Sequence, residues 1–343
     1  MMALSDSTTR VMATLTPDRC TPAMVERMRD AGMRGVRINS AHTTPDSFRR
    51  MVSDIRSVDP AIVILVDTKG AEVRTNAFAP ADLEMKLSPG SVIDIREGSE
   101  ASSPDTLYIS VPAIGQSLRQ SRRILIDDGV IELEATAPLP DGVRARVVHG
   151  GILGSRKTVA LPGVELPPLP AVTAADREAI ALAVEMKIDI IAHSFVRTAA
   201  DVEAVRTLLD DVDIQLYAKI ETRMALDNLE PIIAAADGLL VARGDLGTNI
   251  SLAAIPEAQY RVAQLAWNAR KPVMVSTQIL NSMESAPTPT RAEMSDVALA
   301  VMERAEWILL CGETARGLWP RECVAVACEA IENAKDRMPY VVG

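Results

Sequence analysis

The sequence predicts an α/β fold, a (β/α)8 or TIM barrel with a small β-rich domain inserted after its third strand. Three observations carry this expectation. Eight short runs rich in Val, Ile and Leu recur along the 343 residues, which is the strand count of such a barrel. Longer stretches with helical period and start signals separate them. The alternation breaks once, between about Thr75 and Val159, where short segments of alternating polar and apolar residues take over.

The eight runs are RVMATL (10–15), RGVRIN (34–39), IVILVDT (62–68), IDIIAHSF (188–195), IQLYAKI (214–220), GLLVAR (238–243), PVMVSTQ (272–278) and WILLCG (307–312). Runs this short and apolar on both faces read as buried parallel strands. Helix starts follow several of them: Thr44-Pro45-Asp46 before SFRRMVSDIRSV, Thr173-Ala174-Ala175-Asp176 before REAIALAVEMK, and Pro320 before RECVAVACEAIENAK. A capping hydroxyl and a proline in the first turn are favourable there. In the interrupted region, SVIDIRE, TLYISV, RILIDDGVIELEAT and VRARVVHG read as strands, with a hairpin at Asp127-Asp128-Gly129. LPGVELPPLP (161–170) is the proline-rich return. The expected division is a barrel over 1–75 and 159–343 and an inserted β-barrel lid over 76–158. That leaves roughly 260 residues for the barrel, close to the usual size of about 250. A doubly wound open sheet is the rival, because periodicity does not reveal closure.

Composition narrows the function classes. There are 36 basic and 46 acidic residues, a net charge of −10, which repels nucleic acid and anionic membrane. Three Phe, three Trp and four Tyr are too few for a base-stacking surface. Cys20, Cys311, Cys323 and Cys328 form no C-x-x-C pair and the three histidines are scattered, so no zinc pattern exists. MMALSDSTTRV lacks the features of a signal peptide and no run nears 18 apolar residues, so a reduced, cytoplasmic protein is expected. His149 and His193 read as packing or surface residues, Cys323 and Cys328 as small core residues, and Asp210-Asp211 as a solvated helix face.

Chemistry in such barrels gathers where strands end, and those positions are loaded. Strand two ends in Arg37-Ile38-Asn39, strand three in Asp67-Thr68-Lys69-Gly70, strand five in Lys219-Ile220-Glu221, strand six in Arg243-Gly244-Asp245, strand seven in Thr277-Gln278 and strand eight in Gly312-Glu313. Residues two apart share a strand face. Arg37 with Asn39, Lys219 with Glu221, and Arg243 with Asp245 are therefore expected to point together toward the barrel mouth. Charge in apolar strands is costly unless paired or bound to an ion. Glu221 and Asp245 could share a magnesium ion, with Arg37, Arg74, Lys219 and Arg243 beside it. That set suits phosphoryl transfer, where positioning and charge neutralisation supply most of the catalysis. No Walker A, kinase glycine-rich or Rossmann motif is present.

IVILVDTKGAEVRT, GVRINSAH, YAKIET, DGLLVARGDLG, VSTQILNSM, PTPTRAEMSDVA and LLCGETARGLWP resemble, in order and spacing, the motifs of the pyruvate kinase family; ILIDDGVIELE and GGILGSRKTVALPG resemble its lid domain and the return from it. The resemblance covers nearly the whole chain. It implies transfer of the phosphoryl group of phosphoenolpyruvate to ADP and protonation of the enolate to pyruvate. It further implies Glu221 and Asp245 as ligands of Mg2+ or Mn2+, and Lys219, Arg37 and Arg74 on the transferring phosphoryl group. The Gly244-Asp245 amides would receive the substrate carboxylate and Thr277 would assist protonation. His42, Arg37 and Lys157 fall on the nucleotide side. Asn39, Asp67 and Thr68 would be K+ ligands, with Glu72 the acidic residue of potassium-dependent members.

The sequence also departs from the family pattern. Asn39-Ser40-Ala41-His42-Thr43 replaces N-F-S-H-G, so Ala41 removes one potassium-ligand hydroxyl that Ser40 or water would have to supply. Thr222-Arg223-Met224-Ala225 replaces Asn-Gln-Glu-Gly, Cys311 stands where serine is usual and Thr16 where glycine is usual. The chain reaches Gly343 just after the helix following strand eight. The family's regulatory C-terminal domain, with its sugar-phosphate site, is therefore expected to be absent, and a homodimer through barrel helices is expected. Two alternatives stay open: a repurposed enzyme acting on another enol phosphate or 2-oxo acid, and a catalytically silent regulatory paralogue.

Overall fold

A computed structural model describes residues 9–209 and 212–337; Asp210-Asp211 lie outside them. Eight parallel strands form the barrel: β1 (Arg10–Thr14), β2 (Met33–Asn39), β3 (Val63–Asp67), β4 (Ile190–His193), β5 (Gln215–Ile220), β6 (Gly238–Ala242), β7 (Val273–Ser276) and β8 (Trp307–Leu310). They lie side by side in chain order, and β1 pairs with both β2 and β8. The ring is closed, which decides against the open sheet.

Helices alternate with the strands as the start signals require. Thr44 caps Pro45–Val58 and Thr173 caps Ala174–Glu185, each in a reciprocal capping box, with Ser47 and Asp176 as the third-position partners. Pro320 opens the last helix, Pro320–Arg337.

The barrel interior is a packed core. Met12, Leu65, Tyr217, Leu240, Met274, Trp307 and Leu309 form one buried cluster within it. Two glycines make room for its large members. A Cβ at Gly35 would stand 2.7 Å from Met12 Cε and 3.1 Å from Trp307 Cζ3, and one at Gly238 would lie 2.5 Å from Tyr217 Cζ. Both are closer than packed carbon atoms tolerate.

The described chain separates into two compact units. One runs up to Gly70, over Ala171–Arg243 and from Ile255 on; the other holds Ala71–Pro170 and Gly244–Ala254. The second unit has its own core, built from Ile93, Ile95, Leu107, Ile124, Ile126, Leu133, Val143 and Val147 among others. Its main sheet orders Val159–Ala160, Arg123–Ile126, Ile131–Leu139, Gly142–His149, Val92–Glu97 and Thr106–Ile109. Asp127, Asp128 and Gly129 all have positive φ at the expected hairpin. A helix over Ile114–Gln120 packs in this unit; the sequence reading, which followed the alternating strands, did not anticipate it.

Candidate active site

The C-terminal ends of β2, β3, β4 and β5 converge on one buried ionic cluster. Arg37 donates through Nε and Nη2 to Asp67 Oδ2, at 2.8 and 2.5 Å, a fork that only a planar guanidinium makes. Its Nη1 reaches Thr14 Oγ1 at 3.2 Å and the Cys311 sulfur at 4.0 Å. The other oxygen, Asp67 Oδ1, lies 2.9 Å from Lys219 Nζ. Lys219 Nζ also lies 2.8 Å from Glu221 Oε1 and donates to Ser194 Oγ at 2.7 Å. The second carboxylate oxygen of Glu221 accepts the Phe195 amide at 2.6 Å. Lys219 and Glu221 therefore meet as the two-residue spacing requires.

Electrostatics follow from this packing. Burial by itself would raise the pKa of Asp67, but the charges of Lys219 and Arg37 and their hydrogen bonds hold it below the usual carboxylate range. Burial works against the Arg37 charge, and Asp67 more than restores it. Burial raises the Cys311 thiol, so this cysteine stays protonated beside the cluster and is a poor nucleophile. Glu313, buried at the end of β8, is likewise raised by burial while accepting the Leu280 and Cys311 amides.

Two members of the cluster were missed by the sequence reading. Ser194 follows β4, accepts from Lys219 and shares its single proton between the Thr68 carbonyl at 2.7 Å and Asp67 Oδ1 at 3.0 Å. Thr14 ends β1 and accepts from Arg37. The strand-end rule applied to strands one and four as well would have found both.

His193 is buried, as a packing residue should be, and its bonds define its tautomer. Nε2 faces the Ala171 carbonyl at 2.8 Å, which can only accept, so Nδ1 accepts from Thr68 Oγ1 at 3.0 Å. Burial lowers its pKa. The unfolded chain therefore takes this proton first, and stability is lost as pH falls below about 6.5. The Asp67 contribution is complete above about pH 4 and is lost as pH falls through its depressed value. Urea midpoints are expected to decline from pH 7 to 5, with a smaller decline in His193→Gln. Equal slopes in the two proteins would remove His193 from this account.

Other sequence-selected residues have different surroundings. Asn39 Oδ1 accepts the Ala41 amide at 3.0 Å and so caps the short turn Ser40–His42, on which His42 is exposed. Arg74 donates to Glu72 and to the Arg156 carbonyl, and Lys157 pairs with Asp127 at 2.9 Å, all within the second unit. Gly244 and Asp245 also fall in that unit. There the carbonyl of Asp245 accepts from Thr248 and Asn249.

Arg243 corrects an expectation. It was expected to project into the mouth together with Asp245, but its guanidinium turns to the loop after β7 and to Asp296. β6 ends at Ala242 and a helix, Arg243–Asn249, starts at once. The two-residue rule for strand faces therefore does not extend past Ala242. Thr277 does lie near the cluster, since its backbone faces the Cys311 thiol, whose sulfur in turn touches Arg37.

All four cysteines are free. No helix among the described residues is long and apolar enough to cross a membrane, and no group of three or more His, Cys, Asp or Glu side chains among them is placed to hold a metal.

The barrel domain of pyruvate kinase, as a family profile, matches residues 6–324. A pyruvate kinase of Borreliella burgdorferi is 34% identical over 92% of this chain and 66% of its own length. One from Geobacillus stearothermophilus is 36% identical over 92% of this chain and 55% of its own. One from Hypocrea jecorina is 34% identical over 97% and 64%. The chain thus spans less than two thirds of the length of these curated relatives.

Proposed function

The chain belongs to the pyruvate kinase family, and from that premise we propose that it transfers the phosphoryl group of phosphoenolpyruvate to ADP, giving pyruvate and ATP. The observation that carries this reading is the Lys219–Asp67–Arg37–Glu221 cluster at the strand ends. It gathers two cations inside a strongly acidic protein, each held at its head group by a buried carboxylate. In this reaction the bond from phosphorus to the enol oxygen breaks, a bond to a terminal ADP oxygen forms, and the enolate takes a proton on its methylene carbon. Lys219 Nζ, fixed by Asp67 and Ser194, presents its charge to the moving phosphoryl group. Arg37, fixed by Asp67 and Thr14, presents a second. Such preorganised charge requires no rearrangement at the moment of transfer. Thr277 assists protonation, and the Gly244-Asp245 amides receive the substrate carboxylate. Arg74, His42 and Lys157 serve the phosphate and nucleotide side.

Glu221 suits a divalent ion. It is fully buried, and its Oε1 has no aligned hydrogen-bond donor and is held by the Lys219 ammonium at 2.8 Å, the hard carboxylate oxygen that a divalent cation takes. With Asp245 as the second carboxylate, substrate oxygens and water complete the shell that Mg2+ or Mn2+ prefers. The ion, when bound, neutralises charge on the phosphate oxygens. Asn39, Asp67 and Thr68 offer the oxygens for K+, with Ala41 leaving that set one hydroxyl short. A cytoplasmic location and a homodimer through barrel helices belong to the same reading.

Purified protein supplied with phosphoenolpyruvate, ADP, Mg2+ and K+ is expected to form ATP and pyruvate in equal amounts. An equal rate with Na+ in place of K+ would mean that the Ala41 site no longer uses potassium. No turnover, combined with measurable binding of a different 2-oxo acid, would replace this reading with the repurposed enzyme. The altered segment Thr222–Ala225 motivates that alternative; in the structure Thr222 caps the helix Arg223–Asp227 and Arg223 pairs with Asp227.

A further inference from the structure

Two consecutive residues after β7, Thr277 and Gln278, both have left-handed backbone, with φ of 71° and 55°. Neither is glycine, and Thr277 is β-branched, the side-chain type for which this conformation is least favourable. Such a turn persists only when its surroundings over-determine it. The Arg243 side chain braces it. The Arg243 guanidinium donates to the Thr277 carbonyl from Nε at 3.2 Å and Nη2 at 2.9 Å, and to the Gln278 carbonyl from Nη2 at 3.1 Å. Its remaining nitrogen, Nη1, bonds Asp296 Oδ1 at 2.7 Å and Gln259 Oε1 at 3.4 Å, which keeps the guanidinium oriented.

We propose that Arg243 is a positioning residue: its fork of donors clamps the left-handed turn and so sets where the Thr277 hydroxyl stands. The inference rests on the reading of Thr277 as the group assisting enolate protonation, and it extends the site to a residue without a place in that chemistry. Charge alone cannot do this. A lysine ammonium lacks the planar fork needed to reach two successive carbonyls and Asp296 together. The protonation step therefore depends on Arg243, while substrate affinity does not.

The experiment compares wild type, Arg243→Lys and Arg243→Lys/Gln278→Gly. Arg243→Lys is expected to lower kcat by about 10–100-fold with KM for phosphoenolpyruvate within about twofold, the pattern for an interaction that matters only in the transition state. Exchange of pyruvate methyl protons with D2O, the reverse of the protonation step, should fall by a similar factor. Glycine at 278 removes the left-handed cost there and should recover part of both losses. Unchanged proton exchange in Arg243→Lys overturns the proposal. So does a loss of kcat that disappears once unfolded protein is corrected for by circular dichroism. If wild type turns over no phosphoenolpyruvate, the proposed reaction fails rather than the clamp. The clamp is then read by hydrogen exchange of the 277–279 amides, and equal protection in wild type and Arg243→Lys overturns it.

Discussion

Replacing Lys219 with methionine is expected to reduce ATP formation from phosphoenolpyruvate and ADP by at least about 10³-fold, the scale on which one preorganised charge acts on a developing transition state. The methionine chain has nearly the same length, so the change removes charge more than volume. It leaves Asp67 with Arg37 and leaves the Glu221 carboxylate with the Phe195 amide as its remaining bond. Circular dichroism at the assay temperature separates an inactive site from an unfolded chain. Folded protein retaining turnover within tenfold of wild type would show that the cluster is structural and that the chemistry lies elsewhere.

The largest stability effect is expected at Asp67. Its two oxygens hold Arg37 and Lys219, whose side chains are 14% and 9% exposed, so Asp67→Ala leaves two cations in the barrel mouth without their shared counter-charge. Breaking a buried pair from one side costs about 3–5 kcal/mol, a large fraction of the 5–15 kcal/mol by which such folds are stable. Asp67→Asn keeps one acceptor and should fall between. Because the pKa of Asp67 is depressed, the wild-type advantage over Asp67→Asn should be complete above about pH 4 and shrink as pH falls through the depressed value. Urea unfolding of the three proteins at several pH values measures this. A loss below about 1 kcal/mol for Asp67→Ala at pH 7 would place the pair in the class of weak surface bridges.

Both expectations depend on a cluster that was half legible in the sequence. Arg37, Asp67, Lys219 and Glu221 stood out because charge at the end of an apolar run is costly and rarely incidental. Ser194 does not, since a serine carries no such cost and the fourth strand end holds no charge. Arg243 stood out for the right reason and was placed wrongly, because the alternation that aims a strand side chain stops where the helix begins.

The sequence by itself determined the eight apolar runs, the inserted unit, the helix caps at Thr44 and Thr173, and the family. These rest on local period, turn chemistry and motif order, which a chain carries whatever surrounds it. The tertiary structure alone decided the closure of the sheet, the empty spaces at Gly35 and Gly238 that admit Trp307 and Tyr217, and the choice of partner at each charged strand end. Those depend on register between strands far apart in the chain: Asn39 opposite Asp67 and Ala192 opposite Asp67 bring Arg37 and Ser194 to one carboxylate. Local period states which face a side chain takes; only the neighbouring strand determines what it meets there.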